Sequence, residues 1–202
     1  MNNTALVILM VRVILCMGAS GLPAQTPKDA EPTEEQFRAA QKAAKKLGGQ
    51  FVKYTYPDSK RTVYLLHMPP RTTDGDLKKL PNISFSFGLV LGDTKVTDAG
   101  LKDIANLKVL DALNLHNTKV TDAGLKDIAG LKNLATLHLS HTQVTDAGLK
   151  DIATLTNLSN IDLSFTNLTD VGLKEIVRFK KLTILNLYRT KVTDAGLKGI
   201  AD

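Results

Sequence analysis

The 202-residue chain has no tryptophan, one cysteine, and aromatic side chains at only 5% of its positions. A lone thiol closes no intramolecular disulfide, and it supplies too few ligands for a cysteine-bound zinc. That residue, Cys16, falls in an N-terminal apolar segment, so a chain trimmed of the segment has no cysteine nucleophile either. A strongly basic domain is missing too. The formal charge is +6 and the pI about 9.3, but residues 25–72 hold 9 basic against 5 acidic side chains, while residues 73–202 hold 16 against 15. A nucleic-acid binder needs a basic face that displaces counterions from phosphates; here Lys alternates with Asp, so no nucleic-acid partner is expected. With 43% hydrophobic residues over this length, one domain with a substantial core is expected.

Long apolar runs are confined to residues 1–24, where "ALVILMVRVILCMGASGLPA" precedes the polar "QTPKDAEPTEE". This composition reads as a secretory signal, cut after Ala24 or, as a second choice, after Gly21. The alternative is an uncleaved anchor, and against it Arg12 would cost about 2.5–3.5 kcal/mol at a bilayer centre. Translation from Met10 would place Arg12 in a short basic start instead. Leu15, just before Cys16, is not the small residue that lipid attachment requires. The implied location is exported (periplasm, cell envelope or medium), with no membrane span left after cleavage and residues 25–32 as a linker.

Residues 33–72 read as a helix followed by a hairpin. Thr33 with Gln36 makes a capping box, Phe37, Ala40, Ala44 and Leu47 recur at helical spacing, and Gly48-Gly49 ends the run. "FVKYTY" and "RTVYLLHM" flank the turn signal "PDSK". This unit is placed to cover the first of the repeats that follow.

From Thr73 onward the period is 24, with Val96, Val120, Val144, Leu168 and Val192 in register. The units are 73–96, 97–120, 121–144, 145–168 and 169–192, with a partial sixth at 193–202. Four strand segments, beginning at Leu110, Leu134, Leu158 and Leu182, fit L-x-x-L-x-L-x-x-T-x-V, and "VTDAGLKDIA" or a close variant follows each. Here the chain resembles the leucine-rich repeat family. It is most similar to the cysteine-containing, F-box-type subfamily, with Thr118, Thr142, Thr166 and Thr190 where that subfamily carries Cys. The resemblance implies an α/β solenoid, right-handed, with a parallel sheet on its concave face and short helices on its convex face. It also implies recognition of a protein or glycan by the concave surface, without catalysis or a cofactor. That subfamily includes intracellular ubiquitin-ligase adaptors, whereas the signal segment here points to an exported bacterial type.

The invariant positions are read as architecture. Leu113 and Leu115 can bury only against Leu137, Leu139, Ile161 and Leu163 of neighbouring units. Asp98, Asp122, Asp146, Asp170 and Asp194 are expected to cap the helices, the Thr118 series to bridge consecutive turns, and the Gly100 series to admit close packing of helix on strand. In the first unit Ser86 stands where the others have Leu.

Function is then expected at the outward strand positions: Ala112, Asn114 and His116; Thr136, His138 and Ser140; Asn160, Asp162 and Ser164; Ile184, Asn186 and Tyr188. Just past the strands come Asn117, His141, Phe165 and Arg189. From these, a ligand-binding set of Asn114, His116, His138, His141, Asp162, Phe165, Tyr188 and Arg189 is expected, because aromatic residues and Arg dominate binding hot spots. No metal site and no catalytic residue is assigned. Two alternatives stand beside this: a structural envelope protein without a specific ligand, and, more distantly, a metal-dependent hydrolase. The latter would use His116, His138, His141 and Asp162, or a His138–Asp162 base with Ser140 or Ser164 as nucleophile. Because the chain stops within the sixth unit, Thr183 to Leu187 is expected to be an edge strand, open to self-association.

Overall fold

The computed structural model describes residues 31–57, 59 and 61–199. The signal-segment reading and the last three residues lie outside these. The chain opens with helix α1 (Glu34–Lys46) and an antiparallel hairpin of β1 (Gln50–Thr55) and β2 (Thr62–His67). Helices and strands then alternate: α2 (Asp74–Leu77), β3 (Phe87–Val90), α3 (Asp98–Ile104), β4 (Leu110–Asn114), α4 (Asp122–Ile128), β5 (Thr136–His138), α5 (Asp146–Ile152), β6 (Asn160–Asp162), α6 (Asp170–Ile176), β7 (Ile184–Asn186) and α7 (Asp194–Lys198). One sheet runs in the order β1-β2-β3-β4-β5-β6-β7, parallel from β2 onward. Helices α2 to α7 stack on one another in the same order.

The α1 capping box is present, with Thr33 Oγ1 accepting from Gln36 N at 3.2 Å and Gln36 Oε1 accepting from Thr33 N at 2.8 Å. The few aromatic residues concentrate at this end. Phe37, Phe51, Tyr64 and Phe85 meet edge to face with centroids 5.3 to 5.8 Å apart, and Phe87 joins Phe51 at 5.9 Å. Large rings thus fill the space between α1 and the sheet. Beyond them the core is aliphatic and periodic: Leu113, Leu137 and Ile161 form one row, Leu115, Leu139 and Leu163 the next, all essentially inaccessible. Each contributes roughly 1.5–3 kcal/mol by burial, and only a neighbouring unit can provide it. In the last unit Leu185, Leu187 and Val192 are only partly buried.

The Asp column does something other than capping. Each of the helices α3 to α7 is capped by the Thr before it; Thr97 Oγ1, for example, accepts from Ala99 N at 3.3 Å. The Asp that follows reaches into the next unit, where Asp98 Oδ1 accepts from Thr121 N at 2.8 Å and Oδ2 accepts from Thr121 Oγ1 at 2.7 Å. The same pair of bonds joins Asp74 to Thr97, Asp122 to Thr145, Asp146 to Thr169 and Asp170 to Thr193. Each Thr hydroxyl therefore accepts from its own helix and donates to the preceding one. The carboxylates also sit in the first turn of their helices, where the macrodipole favours negative charge.

This clasp explains the glycines better than helix-on-strand packing does. A Cβ on Gly100 would lie 2.5 Å from Asp74 Oδ1 and 2.9 Å from Leu77 Cδ1, so the missing side chain makes room for the neighbour's carboxylate and leucine. The first unit has Asp76 at this position. There the carboxylate turns back on its own unit, and Asp76 Oδ2 accepts from Thr73 N at 3.0 Å and from Thr73 Oγ1 at 2.9 Å. A side chain from within replaces the clasp that a preceding unit would give.

Two further expectations are corrected. The Thr118 series does not bridge turns: Thr118 Oγ1 donates to Leu115 O at 2.7 Å within its own unit, and Thr142 and Thr166 do likewise. The links across units at this level come from the backbone, as in Lys119 N to Val96 O. Ser86 leaves no hole in the first unit, because a register shift between Phe87 and Gly88 brings Phe87 opposite Leu110. Phe87 takes the vacated core place, and Ser86 Oγ is freed to donate to Asp111 Oδ2 at 2.8 Å.

Candidate functional site

Strands β4 to β7 bring Asn114, His138, Asp162 and Asn186 into one column. Most of this column turns the chain. Asn114 Oδ1 accepts from His116 N at 2.8 Å, Asp162 Oδ1 from Ser164 N at 2.9 Å and Ser164 Oγ at 2.6 Å, and Asn186 Oδ1 from Tyr188 N at 3.0 Å. These side chains redirect the backbone out of each three- to five-residue strand.

His138 is not the open contact residue expected. It is 8% exposed, and its neighbours Thr136, Ser140, Asn160 and Ser164 are buried with it. Strands about 5 Å apart set the side chains of one face close to those of the neighbouring strands. Burial pushes the His138 imidazole below its ordinary 6.5; His116 adds to this and Asp162 opposes it. His138 is therefore neutral at pH 7. The hairpin extends the column in a way that the sequence reading missed: His67 lies opposite Val90, and burial lowers its pKa as well.

The residues just past the strands form the accessible part. Asp93, Asn117, His141, Phe165 and Arg189 all have φ between 49° and 60°, the left-handed region that suits Gly and Asn. This turn throws their side chains outward along the C-terminal ends of the strands. There the rings make a continuous line: His116 meets His141 edge-on at 5.3 Å, His141 stacks on Phe165 at 4.0 Å, and Phe165 meets Tyr188 edge-on at 5.5 Å. Arg189 closes it, its guanidinium 5.8 Å from the Phe165 centroid and 5.6 Å from that of Tyr188. Phe165 is 40% and Tyr188 61% exposed. The expected set thus divides. His116, His141, Phe165, Tyr188 and Arg189 come together at this edge; Asn114, His138 and Asp162 stay in the column behind it.

The hydroxyls are not arranged as the hydrolase alternative requires. Ser140 Oγ is 2.8 Å from His116 Nδ1, not paired with His138, and Ser164 Oγ donates to Asp162. Among the described residues, no group of three or more His, Cys, Asp or Glu is placed to hold a metal ion.

A stack of strand–helix units with leucines inside and a ring-lined edge outside defines an α/β solenoid of the repeat-protein class. The model of the leucine-rich repeat family matches residues 130–153, 154–177 and 180–201. These three matches and the stacked strand–helix units give the chain the leucine-rich repeat fold. Its backbone is similar to that of internalin C2 from Listeria monocytogenes, with a TM-score of 0.53 and 24% identity over 88% of this chain and 86% of that one. Less close are an internalin, inlF, from the same organism, with a TM-score of 0.44, 22% identity and 62% and 41% coverage, and the leucine-rich repeat ectodomain of the receptor kinase SOBIR1 from Arabidopsis thaliana, with a TM-score of 0.42, 15% identity and 81% and 97% coverage. No curated protein sequence matches the chain.

Proposed function

We propose that this protein is an exported, non-catalytic recognition module that binds a protein partner through the edge formed by His116, His141, Phe165, Tyr188 and Arg189. Leucine-rich repeat folds commonly serve as protein-binding scaffolds, and in the column behind the edge His138 is buried while Asn114, Asp162 and Asn186 accept hydrogen bonds from their own turns, which favours the edge for contact. One observation carries the reading: Phe165 keeps a bulky ring at φ 55°, with 40% of it in solvent. Such backbone costs of order 1–3 kcal/mol for a residue of this kind, and although the ring packs on His141, Tyr188 and Arg189, 40% of the residue stays in solvent. A contact made outside the molecule accounts for its presence.

The test compares capture of partners by the immobilised wild-type protein with capture by a Phe165→Ala, Tyr188→Ala, Arg189→Ala variant whose circular dichroism is unchanged. Specific proteins lost from the variant are expected. An identical set on both would instead favour a structural envelope role. Export rests on residues 1–24, and among the described residues no helix is long and apolar enough to cross a membrane. Mass spectrometry of the mature N-terminus is expected to place it at Gln25 or Leu22, and a retained Met1 or Met10 would refute cleavage. Self-association through Thr183 to Leu187 belongs to the same proposal, supported by the single sheet neighbour of β7 among the described residues and the partly buried Leu185 and Leu187. Light scattering should show mass rising with concentration; a strict monomer throughout counts against it.

A further inference from the structure

Arg189 stands over two rings without a carboxylate. Among the described residues no ion pair includes it. Its Nε donates to Tyr188 Oη at 3.3 Å, while the Phe165 and Tyr188 rings hold the guanidinium through their faces. Both terminal amino groups remain available, and a guanidinium so positioned offers the paired N–H donors that match a carboxylate.

The charge around it has one sign. Lys119 and Lys191 are exposed two residues beyond Asn117 and Arg189, and the strand-end loops 116–119, 140–143, 164–167 and 188–191 contain no Asp or Glu. In the acidic column of the helices, Asp98 to Asp170 have both carboxylate oxygens bonded to Thr of the next unit, and among the described residues Asp194 of the last helix is the member without that clasp. Asp162 accepts from Ser164 and lies in the column behind the edge. The one acid at the same turn, Asp93, accepts from Asn117 Nδ2 at 2.8 Å, at the far end of the row from Arg189.

We infer that the partner presents an acidic segment with an aromatic or aliphatic side chain beside its carboxylates, lying across the units along this edge with one carboxylate on Arg189. The inference rests on the contact edge proposed above and adds the chemistry of what it takes. A glycan fits less well, since His141 and Phe165 cover one another's faces and present edges, not the open platforms on which sugar rings stack. Lys119 and the Arg189–Lys191 pair stand three units apart along the row with the rings of His141 and Phe165 in the units between, which favours a peptide over a phosphate backbone.

The chain has no tryptophan, so a tryptophan in a probe peptide reports its own environment. Fluorescence titration with acetyl-Gly-Glu-Glu-Trp-Glu-Glu-Gly-amide is expected to give binding at least ten-fold tighter than its Gln-for-Glu analogue. Arg189→Met should erase that difference, and Arg189→Lys, which keeps the charge without the fork, should keep only part of it. Equal binding of the Glu and Gln peptides, lost in Phe165→Ala, would overturn the acidic assignment and leave the contact edge standing. Binding of neither peptide, or binding indifferent to Phe165→Ala, would overturn both. Tighter binding of an oligothymidylate than of the Glu peptide would reassign the edge to nucleic acid.

Discussion

Replacing Phe165 by Asn and, separately, by Ala isolates the backbone contribution at the contact edge. Both substitutions remove the ring and its contacts with His141, Tyr188 and Arg189. They differ in how well the residue accepts φ 55°: Asn visits the left-handed region readily, and Ala does so at a cost of roughly 1–2 kcal/mol. Asn117 occupies the equivalent turn two units earlier at φ 49° and shows that the fold accepts it. Phe165→Asn should therefore be more stable than Phe165→Ala by about 1 kcal/mol, which for a chain of this size is a difference of about 2–4 °C in Tm. Both should fall well short of the loss for Leu137→Ala, where a fully buried side chain leaves a cavity and the cost is about 2–5 kcal/mol. Circular-dichroism melts of the three variants with wild type give the order, and the partner-capture assay should fail for both Phe165 variants alike. If Ala is as stable as Asn, the turn imposes no penalty and the argument from strain fails. If Phe165→Asn costs more than about 2 kcal/mol, the ring is a prop for the fold, and its exposure needs another explanation.

The clasp makes a prediction of its own: Asp122→Ala strips two partners from Thr145, and with water replacing part of the loss at this half-buried site, about 2–3 kcal/mol of stability should go. Exposed Lys126→Ala on the same helix should change stability by less than about 0.5 kcal/mol. Equal losses in urea titrations of the two would remove the clasp from the account. Acid should weaken the fold in two stages. His67 and His138 are held below 6.5, so their contribution is complete above that value and declines as pH falls through the folded pKa. Asp76 and Asp170 are held below 3.8, chiefly by backbone N–H donation from Thr73 and Thr193, so their contribution is lost only below about pH 4. Tm measured from pH 8 to pH 3 should drop in both windows, with His138→Gln shrinking the first; a flat profile between pH 7 and pH 5 would contradict the histidine part.

The repeat, its strands and its leucine rows were legible because one side-chain period sets them: a 24-residue spacing allows few other ways to bury Leu113 beside Leu137. The roles of Asp98 and Gly100 were misread for one reason. Local rules assign a side chain to its own helix, and here the partners are 23 residues or more away. The placement of Phe87 depended on a bulge that no letter announces. The letters put His141, Phe165 and Arg189 just past the strands, but the positive φ that turns them outward is not written in them; alternation pointed His138 outward but says nothing of how closely its neighbours crowd it. His67 was missed because only the sheet shows that the hairpin runs on into the repeats.

The joint between units has a direction: each Thr faces backward as donor and each Asp forward as acceptor, in the same form at every junction from Asp74 to Thr193. Any unit is therefore a lawful neighbour for any other. A duplication, deletion or shuffle of whole units would leave every junction intact while lengthening, shortening or reordering the line of side chains at the edge. The exposed letters can then drift or be exchanged as cassettes without renegotiating the fold, and Asp76, which closes the series from inside, marks the one unit that cannot be moved inward.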